Sequence, residues 1–395
     1  MVVSPNILLF IKDFEWVVWA VKAALIVFVM ATAFAYTTLY ERKVLAWMQV
    51  RIGPNRTGPG GLFQPLADGL KLIFKEELIP AQADKLIFML APVITVVPAL
   101  IILGVVPFGP PVWLCQSAAR LAQPTVAGCY LFQVGMADVN VGLLYILSVA
   151  SIAVYGVTLA GWSSENKYAM MGGIRASAQM VSYELALGLS VIGPVMLAAS
   201  MSMGDIVRGQ SPVWYVLLQP VGALIFFIAS LAEVNRAPFD MPEAEQELTA
   251  GYHTEYSGMK FALFFMGEYI KMIGVSAIGV TLFLGGYGGP LIGDPNAPGW
   301  LQAILGVLWF VVKVAGWLFM MIWVRATLPR IRYDRLMAFG WKVLLPLSLA
   351  NVAATAAALV SPLAFWALIG LFALGVVTYL LTAVRQRGKE ELAKG

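Results

Sequence analysis

Charged residues are scarce in this chain: they make up 12% of it, against roughly 25% in soluble domains. Histidine occurs once and cysteine twice, and the sequence contains no CxxC, HExxH or Walker-type motif. We therefore expect that this chain holds no metal, cluster or nucleotide by itself. The glycine-rich stretch at 285–290 follows an apolar run without the strand and helix of a phosphate-binding loop, and we interpret it as a turn.

What the chain has in abundance is apolar residues, at 60% of the sequence and a mean hydropathy of +0.81. Runs of roughly 20 apolar residues are long enough to cross a membrane as helices. Nine such runs are present, at about 16–38, 86–106, 140–161, 178–199, 213–232, 260–284, 301–324, 341–360 and 363–383. The pattern predicts an all-α, polytopic transmembrane bundle without strands. It forms one integral-membrane domain over 1–395, with a core at about 1–360 and an extra helix and basic tail at about 361–395.

Lysine and arginine predict the orientation of this bundle, because they are enriched in cytoplasmic connections. Most of the 26 basic residues fall in alternate connections and in the tail, whereas only Lys12, Arg120 and Arg208 fall in the opposite set. We therefore expect the N-terminus outside and the C-terminus inside. The first run begins at Trp16 and is long enough to remain as a span, so we do not interpret it as a cleaved signal.

The first inside connection contains an amphipathic stretch. Four apolar residues share one helical face, Leu66, Leu70, Ile73 and Phe74, with Asp68, Lys71 and Lys75 opposite. This pattern predicts a helix that lies in the membrane interface and frames a lateral opening. An ordinary packed amphipathic helix is the alternative.

The segment 233–260 carries six of the 22 acidic residues, although it lies between two apolar runs. These are Glu233, Asp240, Glu243, Glu245, Glu247 and Glu255. Carboxylates this close repel one another when ionised, which raises some pKa values and couples their titrations. The segment is either a place where protons are held and passed on or a solvated acidic loop.

Six ionisable residues fall within the predicted spans or at their ends: Lys22, Glu184, Glu233, Glu268, Lys271 and Lys313. Such residues usually face a bundle interior or a water-filled path. Glu268 and Lys271 are three residues apart on one helical face, so we expect them to pair. A purely structural buried pair is the alternative there.

Five segments resemble the quinone-channel membrane subunit of respiratory complex I, which is subunit 1 of the mitochondrial enzyme. They read ERKVLAWMQVRIGPNRTGPGG, FQPLADGLKLIFKE, AGWSSENKYAMMGGIRASAQMVSYE, EVNRAPFDMPEAEQELTAGYHTEYSGMKFALFFMGEY and RATLPRIRYDRLM. The resemblance implies a subunit of NADH:quinone oxidoreductase that couples quinone reduction to proton or sodium translocation. It also implies quinone as substrate, FMN and iron–sulfur clusters in partner subunits of the peripheral arm, and contacts with other membrane-arm subunits. The implied location is the bacterial inner membrane, with the mitochondrial inner membrane as the alternative.

The resemblance also implies roles for particular residues. Quinone-tunnel positions are Arg42, Arg51, Asp68, Phe265 and Met266. Proton-path positions are Glu184, Glu233, Asp240, Glu243, Glu245 and Glu268. A supporting ion network consists of Arg236, Arg325, Arg330, Arg332 and Asp334. We expect no catalytic residue in this chain alone, because the groups that protonate the quinone are expected in a partner protein; His253 receives no role.

The sequence departs from the family pattern in three places. Segment 107–139 is longer than usual, Lys271 stands where the family often has a neutral residue, and a ninth span follows the core. Cys115 and Cys129 are the only cysteines, and both fall in 107–139, which is predicted to lie outside. In an oxidising periplasm they form a disulfide or remain two packed thiols.

Two other functions remain open from the sequence. One is the related membrane subunit of an energy-converting hydrogenase or another quinone-linked dehydrogenase. The other is a stand-alone ion transporter, although the chain has no internal repeat and its large basic first connection favours docking of a partner.

Overall fold

The computed structural model of the protein describes residues 14–115, 129–211, 213–240, 250–290, 292 and 299–361. The helices are α1 Glu15–Met48, α2 Gln64–Ile73, α3 Lys85–Ile102, α4 Gly142–Ser163, α5 Lys167–Ala198, α6 Met203–Gly209, α7 Tyr215–Leu218, α8 Pro220–Glu233, α9 Gly258–Phe283, α10 Gly299–Thr327 and α11 Tyr333–Val360. Seven of them are long and apolar enough to cross a membrane. The polytopic helical bundle is therefore confirmed. The count of nine spans is not, and the ninth predicted span, 363–383, lies outside the described residues.

Two helices are longer than the sequence predicted. Helix α1 continues to Met48, ten residues beyond the predicted span, and at 1.5 Å per residue its 34 residues measure about 51 Å. Helix α5 begins at Lys167 instead of 178, where Asn166 caps it by accepting a hydrogen bond from the Tyr168 amide. Hydropathy marks only the part of a helix that crosses hydrocarbon, so these polar extensions were missed.

The predicted span 213–232 is broken. A single turn, α7, ends at Leu218, and α8 begins at Pro220. Proline disfavours the helical conformation of the residue before it, and Gln219 accordingly has φ −134° and ψ 62°. The Gln219 side chain donates a 2.9 Å hydrogen bond to Thr355 Oγ1 of α11, which anchors the break within the bundle.

Helix α9 forms the centre of the bundle. Every residue from Met272 to Phe283 is buried, so this half of the helix is enclosed on all sides. Glycines allow close contacts around it and its neighbours: a Cβ added at Gly172 of α5 would lie 2.6 Å from Gly251 Cα. Small residues at helix contacts are the usual means of close packing in membrane bundles.

The predicted amphipathic helix is confirmed as α2. Its ten residues measure about 15 Å, too short to cross a bilayer core of about 30 Å. None of its residues is buried, and Leu66, Leu70 and Ile73 expose about half of their surfaces. The apolar face is therefore not packed within the described part of the chain, as an interfacial helix requires; its place in a membrane stays a prediction.

A short β-hairpin contradicts the expectation that no strand is present. Strands β1 Val112–Cys115 and β2 Cys129–Phe132 pair antiparallel. Backbone groups that leave a helix need new hydrogen-bond partners, and both segments are rich in the β-branched and aromatic residues that favour strands. The register places Cys115 directly opposite Cys129. The disulfide between them stays a prediction.

A candidate functional site built from buried ion pairs

A cluster of four charged side chains lies between α1, α9, α10 and the segment after α8. Arg236 Nε lies 2.7 Å from Glu268 Oε1, and Arg236 Nη1 lies 3.5 Å from Glu41 Oε1. Glu41 also pairs with Arg325 of α10. The guanidinium of Arg236 lies 4.3 Å from the ring centre of Tyr269. Two arginines and two carboxylates balance in charge, as burial requires, since an unpaired buried ion is very costly. We call these four charged residues the Arg236 cluster.

The Arg236 cluster depends on an irregular turn that follows α8. Asn235 adopts the left-handed conformation at φ 53° and ends the helix. Gln179, which is fully buried on α5, holds this turn: its Nε2 lies 2.8 Å from Ala232 O, 3.1 Å from Asn235 Oδ1 and 2.9 Å from Phe239 O. Three contacts to one side-chain amide fix the position from which Arg236 reaches Glu268.

A second pair lies one turn further along α9. Lys271 Nζ is 3.1 Å from Glu233 Oε1 and donates a 3.3 Å hydrogen bond to the Glu233 carbonyl. The predicted pair between Glu268 and Lys271 is therefore wrong. The turn after α8 presents Glu233 to Lys271 and Arg236 to Glu268, so both of these α9 residues pair with an opposite charge from outside their own helix. The Lys271 ammonium thus balances the charge of Glu233.

Glu184 extends this second pair into the bundle. Its carboxylate accepts a hydrogen bond from Ser151 Oγ of α4. Glu184, Glu233 and Lys271 together line a cavity of about 30 Å³ whose other walls are mainly apolar. A space of that size accommodates a water molecule, which needs about 10–15 Å³ and polar partners. We call Glu184, Glu233 and Lys271 the Lys271 group.

The acidic segment is described only in part. Glu233 and Asp240 belong to the buried network, whereas Glu243, Glu245 and Glu247 lie outside the described residues. Asp240 pairs with Arg330 at 3.2 Å with its side chain 14% exposed. Burial raises the pKa of Asp240, and the nearby Arg330 and Arg236 offset part of that rise. For the described carboxylates Glu233 and Asp240, the solvated-loop interpretation is wrong.

The predicted tunnel residues occupy two places. Arg42 of α1 pairs with Asp68 of α2 at 2.7 Å, while Phe265 and Met266 lie on α9. Arg51 is exposed and contacts Gln49. The structure thus joins Arg42 to Asp68 but does not bring all five residues together.

An aromatic row connects the predicted tunnel side with the Arg236 cluster. Phe261 and Phe265 have ring centres 4.6 Å apart, and Phe265 stacks on Tyr269 at 6.4 Å. Tyr269 in turn contacts Arg236. The row follows one face of α9 and ends at the buried charges.

Several predicted residues are peripheral or structural. Arg332 and Asp334 pair at 3.4 Å with both side chains 78% exposed, and such surface pairs contribute little to stability.

Burial among aromatic rings lowers the pKa of His253 to about 3, so this histidine is neutral at physiological pH. Lys313 donates hydrogen bonds to the carbonyls of Leu284, Gly286 and Gly288, which follow α9. Its cation therefore caps that helix end.

Sequence reasoning missed three residues of the site: Glu41, Gln179 and Ser151. Glu41 stands in the ERK motif, and a longer first helix would have placed it one turn beyond the span. Gln179 and Ser151 gave no signal, because a neutral polar residue in an apolar helix resembles any buried side chain.

The fold and site define a class: a multi-pass membrane protein with paired ionisable residues around its central helix, an arrangement typical of ion- and proton-handling proteins. A family model described as NADH dehydrogenase matches residues 21–356, and the chain belongs to this family. Among its relatives is the first of two H-type subunits of the NADH-quinone oxidoreductase of Geobacter sulfurreducens. The two chains are 53% identical over 331 residues, which cover 83% of this chain and 91% of that one.

Other relatives are named as the same component of this enzyme. The H-type protein of Syntrophotalea carbinolica is 48% identical over 340 residues, or 86% of this chain and 96% of that one. Its counterpart in Protochlamydia amoebophila is 50% identical over 325 residues, which cover 82% of this chain and 92% of that one. The chain is a membrane subunit of an NADH-quinone oxidoreductase, which is an oxidoreductase and translocase complex. The sequence prediction of this family is confirmed over the hydrogenase and transporter alternatives.

Proposed function

We propose that the buried ion pairs couple quinone reduction to proton movement within this protein. The observation that carries the proposal is the placement of the Arg236 cluster and the Lys271 group on adjacent turns of α9, joined by the turn 233–236. Quinone would approach along α2 and the aromatic row, where Arg42, Asp68, Phe265 and Met266 lie. A proton would pass from Glu268 and Asp240 through Glu233 to Glu184. Glu243 and Glu245 are proposed members of the same path.

The coupling step is electrostatic. Reduction of a quinone headgroup to a quinol takes two electrons and two protons, and negative charge develops near the tunnel end when the electrons arrive first. That negative charge attracts Arg236 and Arg325. It therefore competes with the carboxylates of Glu41 and Glu268 for these two arginines. A buried carboxylate whose cation is drawn away favours its neutral form. Glu268 would therefore take up a proton when quinone is reduced and release it when its pair with Arg236 is restored.

The Lys271 group provides the next step inward. Glu233 has one partner cation in Lys271, and Glu184 lies on the same small cavity. A water in that cavity would bridge the two carboxylates. We propose that Glu233 exchanges protons with Glu184 through this water, while Lys271 holds the Glu233 carboxylate at the cavity.

The remaining parts of the complex are proposed to lie in other subunits. Among the described residues no group of three or more His, Cys, Asp and Glu side chains is placed to hold a metal. We propose FMN and iron–sulfur clusters in peripheral-arm subunits that dock on the face bearing Arg330 and Arg332. We also propose the bacterial inner membrane as location, with the N-terminus outside and this docking face inside.

The experiment compares Glu268→Gln, Asp240→Asn and Glu184→Gln in membranes that contain the whole complex. NADH-driven quinone reduction and proton uptake are measured and normalised to assembled complex. We expect both rates to fall at least tenfold in each variant, with NADH oxidation by a water-soluble acceptor unchanged.

Glu255→Gln is the matched control, since Glu255 lies in the same segment and bonds only Asn166 among the contacts described for it. It should keep both rates. If the three site variants also keep full quinone-coupled rates, the network is scaffold and the proposal fails.

A further inference from the structure

A large apolar cavity lies apart from the buried ion pairs. It measures about 590 Å³ and is enclosed by α1, α9, α10 and the residues that follow β2. On α1 it extends from Lys22 to Tyr40, which are 18 residues and roughly 27 Å apart. On α10 it extends from Val307 to Leu318. The mechanism proposed above uses none of these residues.

The cavity is open at its side. Leu25 and Val29 of α1 and Val311 of α10 line it and are 58%, 46% and 57% exposed. Both helices are long and apolar enough to cross a membrane, so these exposed side chains would face hydrocarbon. An apolar cavity that opens to a bilayer is accessible to the acyl chains of the surrounding lipids.

One cation stands at the hairpin end of this cavity. Lys22 Nζ lies 3.1 Å from Gln133 O and 3.4 Å from Gly135 O, and 4.2 Å from the ring centre of Phe132. An ammonium has three donors, and two carbonyl contacts leave one. Among the described residues no carboxylate oxygen lies within 4 Å of it. Lys22 therefore places at the rim of an apolar cavity a positive charge that no carboxylate of the described residues pairs with.

The shape of the cavity and this charge select the ligand. The residues of α1 that line the cavity extend over roughly 27 Å, so the cavity of about 590 Å³ is elongated, as an extended hydrocarbon chain requires. Because helical side chains point towards the N-terminus, Lys22 directs its ammonium to the membrane surface at the hairpin end. We propose that the cavity binds one acyl chain of an anionic phospholipid whose phosphate oxygens accept a hydrogen bond from Lys22. This inference does not depend on the proton path.

The test uses the assembled complex in nanodiscs of phosphatidylcholine that contain phosphatidylglycerol with a photoreactive diazirine in one acyl chain. After illumination and digestion, mass spectrometry counts the label on each peptide. We expect the label to concentrate on peptides from 22–40 and 307–318. Lys22→Gln should lower that label about fivefold, the loss expected for one lysine near an anionic lipid. A diazirine phosphatidylcholine should label the same peptides less and should not respond to Lys22→Gln.

Two alanines of α1 provide matched variants. Ala33 lines the cavity, whereas Ala31 is exposed on the same helix and does not. Ala33→Phe fills the cavity and should remove most of the label, and Ala31→Phe should leave it unchanged.

Three results would overturn the proposal. The label could be unaffected by Lys22→Gln and Ala33→Phe, a long-tailed quinone could displace it, or a helix of another protein of the complex could be crosslinked there instead. Quinone reduction measured on the same samples separates this outcome from a failure of the ion-pair path.

Discussion

Removal of the Glu268 carboxylate should destabilise the complex through Arg236 and not through Lys271. In Glu268→Gln, Arg236 loses its 2.7 Å partner and keeps the contact with Glu41 at 3.5 Å. Both Arg236 and Glu268 have side chains that are about a tenth exposed, so solvent screens little of the loss. Breaking a buried ion pair costs about 3–5 kcal/mol. Because Glu41 remains, we expect the lower end, about 3 kcal/mol.

The assay is a double-mutant cycle on the purified complex. Glu268→Gln, Arg236→Gln and the double variant are compared by the amount of assembled complex and by the midpoint of thermal inactivation at one heating rate. The double variant should lose less than the sum of the single variants, with a coupling of at least about 1 kcal/mol. Glu268→Gln with Lys271→Gln serves as the comparison and should be nearly additive. A larger coupling between Glu268 and Lys271 than between Glu268 and Arg236 would refute the pairing.

Three further predictions follow from single features. Burial raises the pKa of Asp240 above 3.8, so at this residue the folded complex binds more protons than the unfolded chain. The stability of the complex should therefore fall as the pH rises from 3.8 through the raised pKa. Thermal inactivation of Asp240→Asn should lack that part of the pH dependence. Gly172→Ala places a Cβ 2.6 Å from Gly251 Cα and should lower stability by about 1–3 kcal/mol. Gly188→Ala is the control, because its Cβ has nothing within 4 Å and should not lower stability. Rates of heat inactivation of the two variant complexes test this difference. The Cys115–Cys129 register predicts a disulfide, and mass spectrometry of unreduced protein that found two free thiols would contradict it.

The bundle could be predicted from the sequence because long apolar runs admit few other structures in a membrane. Prediction failed where helices depend on neighbours. Glu41 was missed because hydropathy ends at the hydrocarbon boundary, whereas α1 continues to Met48. The break at Gln219 was missed because the apolar run 213–232 continues across Pro220. In fact it divides the segment into a single turn and a helix of 14 residues.

The charged residues of the site also show which features the sequence could predict and which it could not. The sequence identified Glu184, Glu233 and Glu268 as candidates because an ionisable residue in a span is costly, and the family resemblance added Arg236. It could not assign their partners. Spacing along α9 favoured a pair within one helix, but the turn held by Gln179 presents opposite charges from outside that helix. Partner choice is a tertiary property, and no local pattern in the sequence encodes it.

We propose that charge at the quinone end reaches the proton path through the turn 233–236, and the variant Glu233→Gln interrupts that route at its middle. Glu233 lies between the Arg236 cluster and Glu184, and its carboxylate pairs with Lys271 at 3.1 Å. The measurement is NADH-driven quinone reduction together with proton uptake, normalised to assembled complex. We expect both to fall at least tenfold while NADH oxidation by a water-soluble acceptor is retained. Full rates of quinone reduction and proton uptake in Glu233→Gln would contradict the claim.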